Sequence, residues 1–132
     1  MNACPEQAVS KKTRVLCVDD SQDLAEMLVR MVSLQPDLEP VGILDCADDV
    51  VAESARVGAD IVIMDLTMPG RPPLEAIASL VAQGSPCRVI AFTGYDDSIT
   101  QAKAFHAGAW AVVSKNGDPT KIIEAIRTVV AS

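Results

Sequence analysis

A doubly wound α/β fold, with one five-stranded parallel sheet covered by helices on both faces, is predicted by three features of the sequence. Five short apolar runs alternate with five segments of helical periodicity. Each run is four to six residues, mostly β-branched or aliphatic, as suits parallel strands buried on both faces. The chemically distinctive residues fall where the runs end, at the edge where sheets of this type bind ligands.

Residues Met1 to Lys12 are polar and mixed, without the apolar stretch of a secretory signal. They are expected to form a flexible N-terminal extension, with one domain over residues 13–132. Arg14-Val15-Leu16-Cys17-Val18 is the first strand. Ser21 is placed to cap a helix in which Leu24, Met27, Leu28, Met31 and Val32 share one face. Pro36 and Pro40 bracket the loop to the second strand, Val41-Gly42-Ile43-Leu44. Asp48-Asp49 precede a helix ended by Gly58, and capping with dipole compensation accounts for this acidic pair.

The third strand, Ile61 to Met64, leads into the tight loop Leu66-Thr67-Met68-Pro69-Gly70. A helix with Leu74, Ile77 and Val81 on one side follows, ending near Gly84. Arg88-Val89-Ile90-Ala91-Phe92 is the fourth strand, and Asp96 or Asp97 starts the helix after it. His106 and Gly108 close that helix, the histidine suiting the C-terminal dipole. Ala109 to Val113 is the fifth strand, with Trp110 near its start. Asp118 and Pro119 open a last helix whose Ile122, Ile123, Ile126, Val129 and Val130 share a face.

Composition narrows the function. The 132 residues suit a single domain, and 49% hydrophobic against 22% charged residues provides for a packed core. A net charge of -7 argues against nucleic-acid binding through a basic face. No apolar run approaches the ~20 residues that cross a bilayer. Four cysteines without a C-x-x-C pair read as a reduced, cytoplasmic protein, with Cys17 and Cys87 acting as small hydrophobes.

The strand ends carry the chemistry. The first ends in Asp19-Asp20, the third in Asp65, the fourth in Thr93, and the fifth runs to Lys115. Carboxylates gathered there repel: at ~4 Å and an effective dielectric near 20, each like-charge pair costs on the order of 4 kcal/mol. Protonation or a cation must relieve this. An all-oxygen site open to water suits Mg²⁺, with Lys115 as a fixed positive charge and Thr93 as a hydroxyl donor. Such a set suits phosphoryl transfer, with a carboxylate as nucleophile. Asp65 is the best candidate, because its strand should be central and buried, and the loop after it can turn a backbone carbonyl toward a metal.

Val15-Leu16-Cys17-Val18-Asp19-Asp20-Ser21, Ile63-Met64-Asp65-Leu66-Thr67-Met68-Pro69-Gly70, Val89-Ile90-Ala91-Phe92-Thr93-Gly94, and Gly108-Ala109 through Ser114-Lys115 together resemble the receiver domains of two-component response regulators. The resemblance runs from about Thr13 to Val130. It implies the (βα)5 flavodoxin-like fold and an Asp65 that accepts a phosphoryl group from a phosphohistidine of a sensor histidine kinase or phosphotransfer protein. It further implies that Asp20 and Asp65 ligate Mg²⁺ directly, that Asp19 acts mainly through water, and that the Thr67 carbonyl completes the protein ligands. Thr93 and Lys115 would contact the phosphoryl oxygens. Output partners would bind the face of the fourth helix, fifth strand and fifth helix, and the domain would signal rather than act as an enzyme.

The sequence departs from the family in three places. Val112 stands where a switching Tyr or Phe is usual; Asn116, where many members have a proline, predicts a trans bond after Lys115; and Arg71-Pro72-Pro73 replaces a commoner triplet. Residues 114–119 resemble receivers that precede a LuxR-type helix-turn-helix, which leaves open a stand-alone receiver or a piece of a longer regulator. Two other readings stay in view. One is a pseudo-receiver serving as a constitutive protein-binding module; the other is a haloacid-dehalogenase-type phosphohydrolase, whose nucleophile belongs on the first strand.

Overall fold

The structure is a computed structural model that describes residues 11–95 and 97–132. Strands β1 (Thr13–Val18), β2 (Leu38–Leu44), β3 (Ile61–Asp65), β4 (Arg88–Thr93) and β5 (Ala111–Ser114) form one parallel sheet in the order β2-β1-β3-β4-β5. Helices α1 (Gln22–Ser33), α2 (Val50–Val57), α3 (Pro73–Ala82), α4 (Ser98–Ala107) and α5 (Lys121–Ala131) follow the strands in turn. Two-residue alternation along the strands divides the core. Val15, Cys17, Ile61, Ile63, Ile90 and Phe92 pack on Leu28 and Val32 of α1 and on Ile122, Ile126 and Val129 of α5. Leu16, Val18, Val62, Met64 and Val89 pack on Val50 of α2 and on Ala76, Ile77 and Leu80 of α3. Each fully buried Leu or Ile contributes about 2 kcal/mol, so the sheet is held from both faces.

The chain leaves β1 for β2 on one side and returns to β3 on the other. That reversal opens a crevice beyond the carboxyl ends of β1 and β3. Local signals explain the ends of several elements. The Ser21 hydroxyl caps α1 by accepting Leu24 N–H, the Asp97 carboxylate does the same for Thr100 N–H, and Gly58 closes α2 at φ +63°. Burial pushes the Cys17 thiol up to about 12, with Asp19 adding to it, so this cysteine is an inert core residue.

Several boundaries differ from the sequence expectation. Pro40 lies inside β2: Val15 pairs with Pro40 and Leu16 with Gly42, leaving Val41 as a bulge. A proline without an N–H is tolerated there because β2 is an edge strand. β5 starts at Ala111, since Ala109 N–H turns back to the Ala104 carbonyl at the end of α4. α5 starts at Lys121, because Asp118 and Pro119 form a turn in which Asp118 accepts Thr120 N–H. Asp49 precedes α2 without a side-chain cap, and Asp48 is engaged elsewhere. The Lys115–Asn116 bond is trans. Cys4, Asp96 and residues 1–10 of the expected extension lie outside the described residues.

Candidate functional site

Val18 pairs with Met64, so β1 and β3 deliver Asp19 and Asp65 side by side at the carboxyl edge of the sheet. Both are buried, at 2% and 3% exposure, while Asp20 is exposed. One carboxylate oxygen from each of Asp19, Asp20 and Asp65 lies within 4.8 Å of the others. Lys115, directly after β5, reaches this group. Its Nζ lies 3.0 Å from Asp19 Oδ2 and 3.3 Å from Asp65 Oδ2, above the Phe92 ring at 5.5 Å from its centroid.

A shared device orients the strand-end side chains. Each accepts the backbone N–H two residues ahead: Ser21 N–H to Asp19 Oδ1 at 2.8 Å, Thr67 N–H to Asp65 Oδ1 at 3.0 Å, and Tyr95 N–H to Thr93 Oγ1 at 3.0 Å. These Asx and ST turns are available only to short polar side chains, which is why Asp and Thr occupy these positions. In both aspartates the second oxygen is the one that faces Lys115.

Burial raises the Asp65 carboxyl from its ordinary 3.8 to about 6. The Thr67 N–H opposes the shift, the Asp19 charge adds to it, and Lys115 opposes it. Asp19 Oδ2 is buried and makes no aligned hydrogen bond, despite the ammonium 3.0 Å away. Three carboxylates against one ammonium leave the edge short of positive charge. An orphaned buried oxygen and an all-oxygen donor set fit a hard divalent cation such as Mg²⁺, which keeps part of its water shell.

The structure brings Asp19, Asp20, Asp65 and Lys115 together as the sequence suggests. Thr93 ends the neighbouring strand, wholly buried, and no described contact joins its side chain to the carboxylates. Its carbonyl accepts Lys115 N–H at 2.8 Å. Three contributors were not evident from the sequence. Phe92 floors the Lys115 ammonium, Asn116 Nδ2 donates to the Gly94 carbonyl at 2.9 Å, and Asp48 accepts Arg71 N–H at 2.8 Å. Their partners are distant in the chain or are backbone atoms, so no local pattern marks them.

Comparison with known proteins bears on the same elements. Residues 15–127 match the family described as the response regulator receiver domain. The chain belongs to this family. The receiver domain is 30% identical over 115 residues to the response regulator UvrY of Escherichia coli K12, covering 87% of this chain and 53% of that protein. It is also 30% identical over 118 residues to the response regulator GacA of Pseudomonas aeruginosa PAO1, covering 89% of this chain and 55% of that one. The chain therefore spans about half the length of the curated relatives it matches.

Among solved structures, a LuxR-family two-component response regulator from Aurantimonas sp. SI85-9A1 superposes with a TM-score of 0.86 at 30% identity, over 92% of this chain and 86% of that one. The signal receiver domain of the putative regulator NarL from Mycobacterium tuberculosis shares the fold, with a TM-score of 0.87 at 24% identity over 92% and 98% of the two chains. Receiver domains of two-component systems work between histidine kinases and output domains, as signalling proteins. Among the described residues no helix is long and apolar enough to cross a membrane.

Proposed function

We propose that residues 13–132 form a cytoplasmic phosphoacceptor unit in which Asp65 takes a phosphoryl group from a phosphohistidine of a sensor histidine kinase or phosphotransfer protein. One observation carries this reading: Lys115 Nζ lies within 3.3 Å of both buried carboxylates, beside the exposed Asp20. A structural salt bridge needs one acid, whereas this lysine stands among three.

An Asp65 carboxylate oxygen attacks phosphorus, forming the acyl phosphate O–P bond as the N–P bond of the donor breaks and its electron pair returns to the imidazole. The Thr67 N–H on Asp65 Oδ1 holds the carboxylate for that attack. Lys115 is positioned to follow the new charge from the Asp65 carboxylate onto a phosphoryl oxygen. Thr93 Oγ1 accepts from Tyr95 N–H and keeps its own proton free to donate to another. Asp20, Asp65 and the Thr67 carbonyl would hold Mg²⁺, with Asp19 acting through water, and the bound ion would neutralise charge on the transferring oxygens. The product carries about -1.5 to -2 charges where the carboxylate carried -1, a net addition of about -0.5 to -1 to this edge. The response of Thr93 and the exposed Tyr95 beside it carries the change to α4, β5 and α5, where an output partner binds.

The test is incubation with Mg²⁺ and acetyl phosphate followed by intact mass. The wild type is expected to gain one phosphoryl group, and neither Asp65→Ala nor wild type with excess chelator should do so. A gain in both proteins contradicts the assignment of Asp65.

A further inference from the structure

The loop after β3 is poor in backbone donors, because Pro69 and Pro72 have none and Pro73 already opens α3. Its near end is fixed by Thr67 N–H on Asp65 Oδ1 at 3.0 Å. Its far end is fixed from another loop, where Asp48, between β2 and α2, accepts Arg71 N–H through Oδ1 at 2.8 Å. Among the described residues no other backbone hydrogen bond ties residues 68–71 to another element. Gly70, at φ +87°, runs so close that a Cβ there would lie 2.9 Å from the same Asp48 oxygen. The Arg71 guanidinium turns away to the Ser79 hydroxyl on α3. Asp48 therefore serves neither as a helix cap nor as an ion-pair partner; it receives a backbone N–H from the loop after β3.

We propose that Asp48 is a positioning residue of the phosphorylation site, pinning the far end of this loop and so setting the direction of the Thr67 carbonyl. The inference rests on the reading above, in which that carbonyl faces Mg²⁺. Only Met68, Pro69 and Gly70 lie between the two pins, and the proline has a fixed φ. Freeing Arg71 leaves the permissive Gly70 as a pivot, and the carbonyl loses its aim. What matters is the acceptor oxygen, which asparagine also provides, and not the negative charge.

The test titrates Mg²⁺ alone by calorimetry into wild type, Asp48→Ala and Asp48→Asn, and follows Arg71 amide exchange in each by NMR. Asp48→Ala is expected to bind Mg²⁺ about tenfold more weakly, the scale on which groups behind a metal ligand act, with faster Arg71 exchange. Asp48→Asn is expected to match the wild type in both. Asp48 is exposed, so both variants should fold, and the asparagine arm separates geometry from charge. Asp48→Ala binding as tightly as wild type, or Asp48→Asn failing as badly as Asp48→Ala, overturns this inference alone. A wild type that binds no Mg²⁺ overturns the site reading as well.

Discussion

Helices α4 and α5 cover the same end of the sheet from opposite faces, and they are packed very differently. α5 buries Ile122, Ile126 and Val129 against Ile90, Phe92 and Val113. α4 buries only Ala104, set against Ala91 and Ala109, and leaves Ile99 and Phe105 at 67% and 50% exposure. Val112, the position at which the family resemblance leads one to expect an aromatic ring, borders this alanine cluster. One side of β4 and β5 is a wall of branched side chains; the other carries a lightly held helix. Thr93 ends the strand that feeds that helix, so a change at the hydroxyl meets least resistance toward α4. On the proposed function, with no ring at position 112 to rotate, α4 is the element expected to move.

The sharpest way to break this comparison is truncation on each side. Ile126→Ala on α5 is expected to cost about 2–5 kcal/mol in urea unfolding. Phe105→Ala on α4 should stay within about 0.5 kcal/mol. Equal losses would show that α4 is as firmly docked as α5.

The next effect concerns the acidic half of the site, well packed yet electrostatically strained. Asp65 titrates near 6 in the folded chain against an ordinary 3.8. The folded state therefore prefers the protonated form. Metal-free wild type should gain stability as pH falls from above 6 toward 4, and that gain is lost as pH rises through 6. Asp65→Asn should remove this dependence and stabilise the metal-free protein at pH 8 by on the order of 3 kcal/mol. A flat wild-type profile between pH 8 and 4 would mean that burial imposes no charge penalty on Asp65.

How much of this was legible in the sequence follows from where each signal lives. The placement of the strand-end residues was readable because Asp19, Asp20, Asp65, Thr93 and Lys115 all follow apolar runs, and parallel topology sends such positions to one edge. The caps at Ser21 and Asp97 were readable because a cap is made within one turn. Asp48 was not: its acidic neighbour and the following helix suggest capping, while its actual partner is a backbone N–H 23 residues away. Pro40 misled for a related reason. A proline argues against a strand unless the strand lies at an edge, and edge position is decided by the whole sheet.

A smaller effect tests the seam between α3 and the end of α4. Gly108 has φ +122°, and a Cβ there would lie 2.5 Å from Val81 Cγ2. Gly108→Ala should cost about 1–3 kcal/mol through backbone strain and this overlap. An unchanged melting curve would show that the end of α4 shifts at no cost. Asn116→Ala should have a smaller effect than Gly108→Ala, about 0.5–1 kcal/mol, from losing the hydrogen bond to the Gly94 carbonyl. It should also raise amide exchange at Gly94 and Tyr95 while leaving α5 unchanged; exchange rising equally in α5 would contradict a local tie.

The central claim is most directly tested by treating the phosphorylated protein with borohydride, which reduces an aspartyl phosphate to homoserine, and mapping the product by peptide mass spectrometry. The account predicts homoserine at position 65 alone, formed only when Mg²⁺ was present during phosphorylation. Homoserine at position 19 or 20, or a phosphoryl group that borohydride leaves untouched, would contradict it.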